Sequence, residues 1–185
     1  KDVTAAELAY EILIENDGNN FIYAPLVNYA DHTFSVCKKM LDDKNAIMGL
    51  GDGGAHVGFI LDAGYPTWLI SYWSVKKKAY SMEETVRRLT SDTANAAGLN
   101  DRGLLKVGLK ADINIIDWEN VGSSDPFMTQ DLPAGGKRLM QHTQGYVTTI
   151  VSGKVTYRNG EFTKERPGTV VKSVKDEEKT LEFIN

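Results

Sequence analysis

Cysteine occurs once, at Cys37, so no disulfide can close within the chain. That count suits a reducing compartment and sets the expectation of a cytoplasmic location, although a periplasmic protein without disulfides has the same count. No apolar run reaches the roughly 18 residues that a membrane-spanning helix needs, and the opening residues 1–13 are expected to be helix and not a signal peptide. A basic stripe is missing too: 21 lysines and arginines are scattered among 25 acids, for a net charge of -4. Nucleic acid and membrane are therefore not expected partners. A weakly negative chain can still present a locally positive pocket to an acidic substrate. Histidine is scarce, with only His32, His56 and His142, and none falls in an H-x-H or H-E-x-x-H pattern.

What is present reads as two regions. Residues 1–100 alternate helical and short apolar segments, the rhythm of βα units on a parallel sheet. Thr4 and Glu7 form a capping-box pattern ahead of Leu8, Ile12 and Leu13, and Asp17-Gly18 is expected to end that helix. Phe21 to Ala24 reads as a strand stopped by Pro25. Residues 33–42 read as a helix with Phe34, Cys37, Met40 and Leu41 inward. Ala46 to Leu50 suits a buried parallel strand. Further helices are expected over residues 66–77, after the Ser81-Glu84 capping pair, and over 91–97, where Gly98 should terminate the last.

After Gly98 the chain turns glycine-punctuated and β-rich. Ile113 to Ile116, Tyr146 to Val151 and Lys154 to Tyr157 are strand candidates, and Asn159-Gly160 is a hairpin turn leading to Glu161. Polar residues 119–144 are expected to form ordered loop, and the charged tail from Lys172 a short helix or frayed end. The chain opens inside a helical pattern, which sets the expectation of an upstream region.

One segment carries chemistry. Asp52 follows the candidate strand ending at Leu50, between Gly51 and Gly53-Gly54. In α/β proteins ligands sit beyond such strand ends, and glycines let backbone approach them closely. A carboxylate there can ligate a divalent ion or take a proton from a bound water. It can equally be a turn residue capping the next helix, and the pattern leaves both readings open. His32, His56 and His142 read more readily as structural or surface residues than as ligands. The glycines lack the G-K-[ST] of a phosphate loop. Trp68, Tyr72 and Trp73 sit at helical spacing, which favours core or interface. Lys76-Lys77-Lys78 reads as a solvated helix end.

Leu50-Gly51-Asp52-Gly53-Gly54-Ala55-His56, followed by Thr85 to Thr90, resembles the late barrel segment of the amidohydrolase superfamily. Asp101 to Asn114 resembles the passage from barrel to β domain in those enzymes. Asp131 to Gly136, Arg138-Leu139, Gly145-Tyr146, Asn159 to Thr163 and Arg166 to Gly168 resemble the D-aminoacylase branch. The resemblance implies a zinc hydrolase that deacylates N-acyl-D-amino acids. It implies the C-terminal part of a (β/α) barrel over 1–100 and a small β domain, part of a β-sandwich, over 101–185.

By position Asp52 matches the aspartate that activates the metal-bound water and protonates the leaving nitrogen; it is also a possible metal ligand. Gly53, Gly54 and His56 would line the substrate pocket. The family's other ligands have no counterparts in this chain, so it is expected to bind no zinc tightly alone and to be inactive without the upstream barrel. The expected partners are an N-acyl amino acid, the missing barrel portion and, because a partial sheet leaves open edges, a second copy of the chain. Two other readings are a cyclic-amide hydrolase of the dihydroorotase or hydantoinase kind, and a non-catalytic structural or interaction module.

Overall fold

Thr4 opens the first helix through a reciprocal pair. Its hydroxyl accepts from the Glu7 amide at 3.3 Å, and the Glu7 carboxylate accepts from the Thr4 amide at 2.8 Å. In this computed structural model, which describes residues 3–25, 27–49, 51 and 56–172, the resulting helix α1 spans Ala5–Gly18. Regular geometry ends before Asp17-Gly18, because Glu15 is extended and Asn16 and Asp17 take positive φ. The expected inward stripe is not covered: Leu8 and Leu13 are each 44% exposed, and no residue of α1 is buried.

The two expected parallel strands do not form. Residues 21–25 and 46–49 run as irregular chain, with Tyr23 and Ile47 exposed; Leu50 lies outside the described residues. A strand exists through its ladder partner, and no described segment pairs with either stretch. The α/β reading therefore holds in a coarser form, as helices followed by an antiparallel sheet region. Neither a closed barrel nor a sandwich is formed by the described residues.

Helix α2 (Ser35–Leu41) buries Phe34, Cys37 and Leu41 partly against the core and leaves Met40 exposed. Helix α3 (Tyr65–Trp68) continues directly as a π-helix over Leu69–Lys76. The wider turn closes with the Lys77 amide donating to the Tyr72 carbonyl at 2.8 Å. Leu69, Trp73 and Tyr80 form the core cluster, with Trp68, Tyr72 and Phe34 packed on it. Ser81 caps α4 (Met82–Leu89), accepting from the Glu84 amide at 3.1 Å. Helix α5 (Ser91–Ala96) ends in the Schellman pattern expected of Gly98, whose φ is 68°. The Leu99 amide donates to the Ala94 carbonyl and the Gly98 amide to that of Asn95.

Tyr80 links α2 to α4. Its hydroxyl donates to Asp42 at 2.9 Å, while Lys38 and Arg88 stand over its ring at 4.7 and 4.5 Å. Arg88 also donates to the Leu41 carbonyl at 2.7 Å. At the other end of α2, Asp31 accepts from the Ser35 hydroxyl and from the Thr33 hydroxyl and amide.

The β region follows the expected order. Strands β1 (Ile113–Ile116), β6 (Tyr146–Val151), β7 (Lys154–Arg158) and β8 (Glu161–Phe162) make one antiparallel sheet in the order β1-β6-β7-β8. Two-residue turns with positive φ at both positions, Ser152-Gly153 and Asn159-Gly160, join β6 to β7 and β7 to β8. The stretch expected as loop instead holds four strands: β2 (Gly122–Ser123) pairs with β5 (Thr143–Gln144), and β3 (Phe127–Leu132) with β4 (Gly136–Met140). Polar outward residues mask that hairpin in the sequence, and Arg138 pairs across it with both oxygens of Asp131 at 2.7 and 2.6 Å. The tail from 173 onward lies outside the described residues.

Gly145, with φ of 85°, abuts Val121 so closely that an added Cβ would fall 2.6 Å from the Val121 Cα. Gly145→Ala should therefore destabilise the β region by roughly 1–3 kcal/mol through overpacking and a disfavoured φ, read from the midpoint of denaturant unfolding.

Acid should loosen α2. Hydrogen bonds from Ser35 and Thr33 hold Asp31 down at about 2, and those from Lys38 and Tyr80 hold Asp42 below its ordinary 3.8. Carboxylates whose folded pKa is depressed stabilise above the unfolded value and lose that contribution as pH falls through the folded one. Protection of the Ser35–Leu41 amides, measured against the intrinsic exchange rate at each pH, is expected to fall between pH 3.8 and about 2, and Asp31→Asn should flatten that dependence.

Candidate functional site

The candidate segment from Gly51 to His56 is described at its two ends. Asp52, Gly53 and Gly54 lie outside the described residues. Gly51 and the chain from His56 into α3 are described. His56 takes a φ of 50°, and its carbonyl accepts from the amides of both Phe59 and Ile60 at 3.0 Å, forming a tight turn. Its ring is exposed and lies 5.2 Å from that of Phe59.

Two hydrogen bonds and one close approach join the described part of this loop to the β region. The Leu139 amide of β4 donates to the Val57 carbonyl at 2.7 Å. Gln141 Oε1 lies 3.2 Å from where a Cβ on Gly64 would stand, and the hydroxyls of Thr67 and Tyr146 hydrogen-bond at 2.8 Å. Gln141 is itself held, donating to the Ser124 carbonyl at 2.6 Å. Between these anchors Asp62 turns its carboxyl onto Gly51. A Cβ on Gly51 would lie 2.7 Å from Asp62 Cγ. Asp62 Oδ1 is buried, and the Asp62 carbonyl accepts from the Tyr65 amide at 3.2 Å.

The histidines do not gather at this loop. His32, with φ of 56°, meets Tyr29 edge-on at 6.1 Å, and His142 lies 4.8 Å from Phe127. Each has an aromatic neighbour. No group of three His, Cys, Asp or Glu side chains among the described residues converges to hold a metal. A zinc site therefore does not fit the described residues alone. Two open grooves of about 470 and 520 Å³ lie elsewhere, and neither is lined by His56 or Asp62. The first runs between the π-helix end and Trp118-Glu119. Among the described residues no helix is long and apolar enough to cross a membrane.

Asp62 was not evident from sequence, because an acid in Leu61-Asp62-Ala63-Gly64 has the look of an ordinary turn residue. Its one signal is indirect: Gly51 must lack a side chain for the carboxyl to lie where it does.

The chain matches the family described as Amidohydrolase family (Amidohydro_3) over residues 20–157. It belongs to the amidohydrolase family. Membership spans the loop, the helices around the aromatic core and the sheet through β7. Among curated proteins, a dihydroorotase of Lactobacillus acidophilus (strain ATCC 700396 / NCK56 / N2 / NCFM) is similar, at 33% identity over 89 residues. That match covers 46% of this chain and 20% of the dihydroorotase, so the chain spans about a fifth of that relative's length. No solved structure matches the chain.

Calorimetric titration of the 185-residue chain with zinc should give no stoichiometric binding tighter than micromolar. Tight one-to-one binding would mean that Asp52 and the histidines converge after all.

Proposed function

We propose that this amidohydrolase segment belongs to an enzyme that deacylates N-acyl-D-amino acids, including acidic ones, to a carboxylate and a free amino acid. The observation that carries the reading is the run Gly51-Asp52-Gly53-Gly54 inside the family match, with the Asp131 to Gly136 and Arg166 to Gly168 segments supporting the D-aminoacylase branch. In this reading residues 1–100 are the last part of the barrel and 101–185 the small β domain. The remaining barrel and a second copy of the chain are the protein partners, and an N-acyl amino acid the small-molecule one.

Asp52 is the proton carrier. A carboxylate at the reacting amide takes a proton from the attacking water and delivers it to the leaving nitrogen, which must be protonated to depart as an amine. Gly53 and Gly54 keep side chains away from the scissile bond, and His56 borders the pocket. Zinc is part of the proposal for the whole enzyme. Its ligands are not found among the described residues, so no step is assigned to it.

A second reading is favoured by the dihydroorotase similarity: hydrolysis of a cyclic amide, which needs the same proton transfer at a ring nitrogen.

Assay of the complete enzyme on N-acetyl-D-amino acids, their L-enantiomers and dihydroorotate separates these readings. We expect turnover of the D-substrates, and a loss of about 10²–10⁴ in kcat for Asp52→Asn. Turnover of dihydroorotate alone would select the cyclic-amide reading. Inactivity on all three would leave a non-catalytic module.

A further inference from the structure

The groove between the π-helix end and the turn after β1 brings two charges of opposite sign to one cavity. Lys78 stands on one wall, with Ser81 and Met82 at the start of α4, and Trp118 and Glu119 form the other. Its volume of about 470 Å³ falls in the range of small-molecule sites. Each wall is fixed by its own element. The amides of Lys77, Lys78 and Ala79 donate to the carbonyls of Tyr72, Ser74 and Trp73, which holds Lys78 at the end of the π-helix. On the opposite wall the Asp117 amide donates to the Gly145 carbonyl at 2.7 Å. Asn120 closes that turn by donating its backbone and side-chain amides to Asp117.

Lys78 takes a φ of 50°, a conformation that glycine adopts with less strain than a residue bearing a Cβ. A lysine there is an outlier that asks for a use of its side chain. Its neighbours Lys76 and Lys77 lie over the Tyr72 ring at 5.9 and 5.5 Å. Neither Lys78 nor Glu119 forms an ion pair among the described residues. The hydroxyls along the groove are already bonded: Ser74 donates to the Tyr80 carbonyl and Ser81 accepts from the Glu84 amide, both at 3.1 Å. One cation, one anion, the half-buried indole of Trp118 and the exposed Met82 are left to meet a ligand.

We propose that this groove binds a free α-amino acid as its zwitterion. The carboxylate lies on Lys78, the ammonium on Glu119 and an apolar side chain against Trp118 and Met82. A simple anion would meet Glu119 and a simple amine would meet Lys78, so each is disfavoured by a like charge. A free amino acid is what the proposed deacylation releases, so a role in holding product rests on that reading; the binding itself does not.

Titration of the chain with D- and L-leucine, followed by backbone amide chemical shifts, tests the site without any activity assay. Saturable shifts are expected at Lys78, Met82, Trp118 and Glu119 with at least one enantiomer. N-acetylleucine lacks the ammonium and leucinamide the carboxylate, and each should bind at least about tenfold more weakly, the worth of one charge-assisted hydrogen bond. Lys78→Gly removes the amine at a φ that glycine accommodates, and Glu119→Gln removes the charge at nearly constant size. Each should weaken leucine binding by about tenfold or more and leave the amide shifts of β6 and β7 unchanged.

The proposal is overturned if neither enantiomer gives saturable shifts at these residues, if N-acetylleucine or leucinamide binds as well as leucine, or if either variant binds leucine as tightly as the parent chain. Lack of deacylase activity in the complete enzyme would remove the function proposed above and leave the amino-acid site standing.

Discussion

Aromatic packing on Trp73 is the interaction on which the helical part of the molecule depends. Phe34 arrives from the start of α2, Trp68 and Tyr72 from the turn before, and Tyr80 from the entry to α4, with ring centroids 5.1 to 6.5 Å from Trp73. Trp68 and Tyr72 stack almost parallel at 4.7 Å, a contact between neighbours on one helical face. Each such pair adds on the order of 0.5–1.5 kcal/mol beyond area burial. Few other apolar side chains are buried among the described residues: beyond this cluster they are Ile70, Ala94 and Val121. Helix α1, beyond reach of these rings, has no buried residue.

That distribution also explains why the candidate loop is anchored where it is. It leaves Gly51 on one side and enters α3 on the other, so the aromatic cluster fixes only its downstream end. The upstream end takes its support from β4 through a single backbone hydrogen bond to Val57.

Signals contained within a few residues were legible in the sequence. The Thr4-Glu7 and Ser81-Glu84 caps, the Gly98 stop and the Asn159-Gly160 turn each depend on bonds spanning three to five positions, and each forms. The strands after Gly98 were legible from composition and turns: Tyr146–Val151 and Lys154–Arg158 are joined by a two-residue turn, and Ile113–Ile116 forms as expected although its partner β6 lies far along the chain. Phe21 to Ala24 and Ala46 to Gly49 have strand composition, but composition cannot supply a ladder partner. The β3–β4 hairpin was hidden for the opposite reason, since Gln130, Asp131 and Arg138 give it a loop's polarity. The glycines around Asp52 drew attention to a segment of which Gly51 and His56 are described. The Asp62–Gly51 contact was not legible, because it is a matter of tertiary geometry and leaves no periodic trace.

The two tight turns of the β6–β7–β8 meander bear on the order in which the molecule assembles. Chain reversal over two residues costs little loop-closure entropy, and each strand meets its neighbour within a dozen positions. Only β1 must come from farther away, pairing Ile113 with Ile150. Such a sheet has low contact order and can zip up early, independent of the helices. The aromatic cluster, which joins Phe34 to Trp73, carries a loop-closure cost like that of the β1 pairing and larger than that of the meander.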